Sequence, residues 1–187
     1  MPSLRLLPLL VFWAGSVQAQ GLNYGVGRTP TDEEIRAWDI AISPTGEELP
    51  PGSGTVEEGE QVYLRTGCAT CHGMAGMDGI APELVRDGER EVTHPWDYGR
   101  ILPIRSPYAT TVWDYINRGM PLNQEGSLSA DEVYALTAYL LYLNGVIGGD
   151  EVMDAETLPM VEMPNRDAWA PLPDWQPGMP RLPGYPY

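Results

Sequence analysis

Lysine is absent from the 187 residues, so all 11 cations are arginines, set against 26 acidic side chains. The resulting formal charge of −15 makes nucleic acid a poor partner, because phosphate binding needs a basic face. Either this charge steers a partner with a basic docking patch, or it only keeps the chain in solution. Cysteine is almost absent: there are two, which leaves room for at most one disulfide. Long apolar runs are missing as well. The best of them, Leu6 to Ala14, is interrupted by Pro8 and is too short for a membrane span. No internal repeat and no alternation of strand and helix patterns is visible.

Glycine and proline are plentiful, at 21 and 19 residues, while 43% of the chain is apolar. That composition suits a compact core with long irregular arms, and it stops short of a disordered chain. Residues 1–19 fit a secretory signal. Arg5 supplies the positive start, and Val17-Gln18-Ala19 fits the small-residue cleavage site that would leave Gln20 first. The mature chain is then expected in the periplasm, with no membrane span.

Residues 20–55 read as an arm with one short helix. Thr31-Asp32-Glu33-Glu34 is a capping box leading into Ile35 and Trp38. Leu49-Pro50-Pro51-Gly52-Ser53-Gly54 reads as a linker. A helix is expected over residues 56–66, with Gly59, Val62 and Tyr63 on one face. Glycine inside a helix costs about 1 kcal/mol relative to alanine, which is reasonable if another helix crosses closely there. Residues 73–106 read mostly as loop. Pro107 is expected to open a helix capped by Ser106, with Val112, Trp113 and Ile116 as its apolar face and Gly119 as its stop. A second capping box, Ser129-Ala130-Asp131-Glu132, opens the clearest helix, residues 130–144. Beyond Gly148 the pattern fades into a proline-rich arm, expected to be extended, that contains Trp169, Trp175, Tyr185 and Tyr187.

The two cysteines stand three positions apart and are followed at once by histidine: Cys68-Ala69-Thr70-Cys71-His72. Cys-x-x-Cys-His is the attachment signature of c-type haem (heme). Two thiols one helical turn apart can reach two vinyl groups on one porphyrin edge, and the next residue can bring its imidazole to the iron. A redox dithiol would be expected beside a strand–helix–strand pattern, and a zinc site would need ligands beyond His94. One covalent haem c is therefore expected, with His72 as a metal ligand.

The occupant of the sixth iron position decides the job. The candidates are Met74, Met77, His94, Met120, Met153, Met160, Met163 and Met179, or an open site. Met74 and Met77 lie too close to the motif to reach the far face easily. Met120 follows His72 by 48 residues, directly after the Trp113 helix and before Pro121, and is the best placed. Pro82 could accept the Nδ1–H of His72 on its carbonyl, or be an ordinary loop proline. Arg100 and Arg105 could pair with haem propionates, or be solvated.

As a set, residues 56–144 resemble a class I cytochrome c: a helix, Cys68-x-x-Cys71-His72, Pro82-x-Leu84, a helix ending in Met120-Pro121, and a final amphipathic helix. The resemblance implies an all-α fold in which the first helix crosses the last near Gly59 and Tyr139, with His72 and Met120 on the iron. More narrowly, several stretches are similar to the cytochrome subunits, SoxD, of bacterial sulfur-oxidising dehydrogenases. These are Ile35-Arg36-Ala37-Trp38-Asp39-Ile40, the Leu49–Gly54 stretch, Pro107 to Arg118, Asp131 to Leu140, and Val161-Glu162-Met163-Pro164-Asn165-Arg166. That likeness implies a molybdenum-cofactor partner subunit that oxidises sulfane sulfur carried on a protein cysteine, or sulfite. Some members carry a second haem domain, whereas this chain has one haem motif.

The expected organisation is thus a signal peptide (1–19), an N-terminal arm (20–55), a cytochrome c haem domain (56–147) and a proline-rich C-terminal arm (148–187). The cofactor-binding set is Cys68, Cys71, His72, Met120, Pro82 and Arg105. The expected job is electron transfer without bond-making on a substrate: electrons enter from the molybdenum subunit and leave to an acceptor cytochrome. A free soluble carrier and a haem enzyme or sensor with an open iron site are the rivals.

Overall fold

The computed structural model describes residues 27–86 and 101–167. The expected leader, His94, Arg100, Met179 and the stretch from Trp169 to Tyr187 lie outside the described residues. The chain divides into two units, Met1–Asp39 and Ile40–Tyr187. In the first, helix α1 spans Asp32–Trp38 and has the expected capping box, with Glu34 N–H donating to Thr31 Oγ1 at 3.2 Å. Arg28 pairs with the Glu34 carboxylate. This helix buries none of its residues.

The second unit is built on helices α2 (Val56–Arg65), α3 (Cys68–His72), α4 (Leu102–Arg105), α5 (Ala109–Gly119) and α6 (Ala130–Leu143). The core helices α2 and α6 each start with a capping box, from Thr55 to Glu58 and from Ser129 to Glu132. They cross in contact. A Cβ added to Gly59 would stand 2.0 Å from the Ala135 carbonyl oxygen, so nothing larger than hydrogen fits there. One turn on, the Tyr63 and Tyr139 rings meet at 5.6 Å, tilted by 55°. Helix α5 closes the core from the side, with Trp113 5.5 Å from the Tyr134 ring. Arg65 ties the end of α2 to the start of α6 through Glu132 at 2.8 Å.

The expected helical fold is present, with three local differences. The core is mostly helical, but it also carries a two-stranded antiparallel sheet: β1 (Ser53–Thr55) pairs with β2 (Val152–Asp154), Gly54 opposite Met153. The supposed linker and the start of the supposed arm therefore pair with each other. Leu49, Met153, Leu158 and Met163 are buried in the same core, and Leu158–Met160 forms a 3-10 turn. So the stretch from Met153 to Met163 packs on the chain's own core. Pro107 does not open α5. Ser106 is held extended as the last cap of α4, as the residue before a proline prefers, and the helix starts two residues later, after an extended Tyr108.

Two predictions follow from the crossing. Gly59→Ala gains helix propensity yet is expected to lose about 1 to 3 kcal/mol, the usual cost of overpacking a filled core, measured by denaturant unfolding. Glu132 is held below the usual carboxylate range, first by the Ser129 backbone N–H and then by Arg65. Its contribution is complete above the unfolded pKa and fades as pH falls through the lower folded one. Glu132→Gln is therefore expected to flatten the acid limb of the stability–pH curve.

Candidate functional site

Helix α2 ends at Thr66, whose hydroxyl donates to the Val62 carbonyl at 2.7 Å. Gly67 then turns the chain at φ +81°, a left-handed conformation that favours glycine, and α3 begins at once with Cys68. Cys68 and Cys71 both lie half-buried as free thiols on this single short helix. Burial pushes the Cys68 thiol up.

The chain after α3 folds straight back on it. A Cβ on Gly73 would stand 1.6 Å from the Met77 carbonyl oxygen, and one on Gly79 would stand 2.1 Å from that of Cys71. Ala81 N–H donates to the Cys71 carbonyl at 2.8 Å, and Leu84 N–H to that of Gly76 at 2.8 Å. This loop brings the Pro82 carbonyl oxygen to 2.8 Å from His72 Nδ1. A carbonyl only accepts, so Nδ1 carries the proton. In the neutral ring this tautomer leaves Nε2 its lone pair, the form in which imidazole ligates a metal. Asn144, at the end of α6, anchors the far side of the loop by donating to Leu84 at 2.9 Å and accepting from Arg86 N–H at 3.1 Å.

Met120 caps the C-terminus of α5 in an extended conformation, half-buried against the core. The last turns of α5 are braced by Asp114, only 7% exposed. Its carboxylate pairs with Arg118 and accepts Ile42 N–H at 3.1 Å. Of the other methionines weighed as ligands, Met153 and Met163 fill the core, while Met74 and Met160 are exposed. Arg105 is exposed on α4 and has no ion-pair partner among the described residues. Its carbonyl accepts from Asn165 Nδ2.

Several residues that shape the site carry no local signal in the sequence. The Tyr63 hydroxyl donates to the Gly73 carbonyl at 2.8 Å. Burial first, then the charges at Cys68 and Tyr139, push this phenol up to about 12. Ser106, Thr110 and Trp113 repeat at helical spacing on the approach to Met120. Their buried Oγ, Oγ1 and Nε1 atoms have no hydrogen-bond partner among the described residues. Such orphaned polar atoms are costly unless something pairs with them.

The residues fit a haem. Two free thiols sit on one short helix, the adjacent imidazole has its Nε2 lone pair available, a thioether ends the neighbouring helix, and unpaired buried polar atoms line that helix. Among the described residues no three or more His, Cys, Asp or Glu side chains cluster as a metal site. No described helix is long and apolar enough to cross a membrane. Asp114→Ala is expected to cost about 2 kcal/mol in a urea melt, because it leaves a part-buried backbone N–H unpaired. Asp114→Asn, whose amide oxygen still accepts from Ile42, should cost less.

Comparison with known proteins adds two findings. Residues 54–140 match the family described as cytochrome c oxidase, cbb3-type, subunit III. The crystal structure of the sulfane dehydrogenase SoxCD from Paracoccus pantotrophus contains a similar chain, 38% identical with a TM-score of 0.65. The match covers 80% of this chain and 72% of that one. No curated protein matches.

Proposed function

From the premise that this chain is a c-type cytochrome that carries electrons, with a domain over residues 54–140 that matches the cbb3 subunit III family, we propose that it does so with one haem c joined covalently to Cys68 and Cys71. The observation that carries this reading is the 2.8 Å contact from His72 Nδ1 to the Pro82 carbonyl, directly after the two thiols. The bound haem would supply an iron that alternates between two oxidation states.

The protein's part is holding and tuning. Cys68 and Cys71 would hold the haem covalently through their sulfurs. The Pro82 carbonyl fixes the tautomer and orientation of His72 and raises the basicity of its Nε2. Met120 would hold the iron through its thioether, which would favour the reduced state and so raise the potential. Pairing of propionates would fall to Ser106, Thr110 and Trp113, whose buried polar atoms have no partner among the described residues, and to Arg105. Ile80, 93% exposed two residues before Pro82, and Leu122, two residues after Met120, give the site an apolar outer surface for docking.

The same likeness supports a narrower role. It runs well past the haem domain, over 80% of the chain at 38% identity to a chain of a sulfane dehydrogenase. In this reading a molybdenum-cofactor subunit oxidises sulfane sulfur, or sulfite, and hands electrons to this chain in the periplasm. The chain passes them to an acceptor cytochrome. The charge of −15 steers partners with basic docking patches. A free soluble carrier is the second reading, favoured by the burial of Met153, Leu158 and Met163 on the chain's own core rather than on a partner.

Two experiments test the proposal. Met120→Ala should abolish the sulfur-to-iron charge-transfer band at the red end of the oxidised spectrum and let the reduced protein bind carbon monoxide. An unchanged band would remove Met120 from the iron. Gel filtration of a native periplasmic extract should find the haem absorbance in a complex larger than this chain. A lone monomer would favour the free carrier.

A further inference from the structure

The crossing of α2 and α6 needs an aromatic ring at residue 63, but it does not need a hydroxyl. Tyr63 is 1% exposed, with its ring locked against Tyr139 at 5.6 Å. Phenylalanine would fill the same space without burying a polar group, which is costly unless it is hydrogen-bonded. The hydroxyl is bonded, and to one particular atom: it donates at 2.8 Å to the carbonyl of Gly73, the residue directly after His72. That carbonyl also accepts the Gly76 N–H at 3.2 Å, so it is the hub of the first turn of the loop. Gly73 has little freedom of its own, with φ at +82° and no room for a Cβ.

We propose that Tyr63 is a positioning residue: its hydroxyl latches the backbone behind His72 to the helix crossing and so sets the angle at which the imidazole meets the haem iron. The inference rests on the haem reading above. His72 is then held from two sides. The Pro82 carbonyl grips the ring at Nδ1, and Tyr63 grips the main chain one residue on. The first contact belongs to the loop and moves with it. The second reaches back to α2, so it refers the backbone directly behind the imidazole to the rigid core, while Asn144 holds only the far end of the loop. Without it the loop can drift, the Nδ1–H···O bond loosens, and the imidazole becomes a weaker donor. A weaker donor stabilises the oxidised iron less, so the potential rises.

The test uses full-length, haem-loaded protein carrying Tyr63→Phe, with Tyr139→Phe as the control that removes a neighbouring hydroxyl not bonded to this loop. Two readouts respond to imidazole orientation and not to global stability: the g values of the oxidised protein in electron paramagnetic resonance, and the midpoint potential. Tyr63→Phe is expected to change the g values and raise the potential, whereas Tyr139→Phe leaves both at the parent values. Parent-like g values and potential in Tyr63→Phe overturn the proposal, even if the melting temperature falls. Should that variant not accumulate, proton NMR of the reduced parent decides. A slowly exchanging Tyr63 hydroxyl proton with cross-peaks to Gly73 or Gly76 supports the latch, and one that exchanges freely with water overturns it. The pyridine haemochrome spectrum of the parent separates the two levels: a parent without haem overturns the cytochrome reading, while haem present with unmoved g values overturns only the latch.

Discussion

The close passage of α2 over α6 is the constraint on which the rest of this structure depends. It exists because residue 59 has no side chain, and the Ala135 backbone occupies the space where one would be. β1 repeats the device one element earlier, where a Cβ on Gly54 would stand 2.2 Å from Ala135 N. Once the two helices are in contact, the end of α2 is fixed in space. Cys68 follows that end after a single left-handed glycine, Gly67. A covalent attachment point is thereby referred to the most rigid part of the molecule. Glu132 strengthens the arrangement by capping α6 and pairing with Arg65 at the end of α2.

The site has two halves with different mechanical support. The half with Cys68, Cys71 and His72 is held by backbone hydrogen bonds within a tight, glycine-rich loop, by Asn144 at one end and by Tyr63 at the other. The half with Met120 is held at the end of α5, and the buried Asp114 is its brace. An electron carrier benefits from this stiffness, since an iron whose ligands barely move on changing charge needs little reorganisation. In the proposed reading, the charge of −15 and apolar side chains such as Ile80 beside the site would combine long-range steering with a small docking surface.

Much of this was legible in the sequence because the signals are local. The capping boxes at Thr31 and Ser129, the helical spacing of Val62 and Tyr63, and Cys-x-x-Cys-His all lie within a few residues of one another. Pro82 was legible as a candidate partner because its distance from His72 is short. The corrections concern partners far apart in the chain. Nothing around Val152 announces that it pairs with Thr55, since two apolar residues, Val152 and Met153, between acidic neighbours fit an arm as well as an edge strand. Asp114 reads as a solvated helix residue until Ile42, 72 positions away, donates to it. Tyr63 reads as core filler, and its ring is that. The hydroxyl acquires a role only when the loop beyond His72 folds back over it.

Covalent attachment of one haem at Cys68 and Cys71 is the central claim, and the arginine pattern makes it directly measurable. With no lysine in the chain, trypsin should release the motif as the single peptide Thr66–Arg86. Mass spectrometry of this peptide from protein exported through a cytochrome c maturation pathway tests the claim. The account predicts that the peptide carries the mass of one haem and retains haem absorbance after denaturation and acid–organic extraction. A haem-free peptide, with its thiols free or joined in a disulfide, would contradict it.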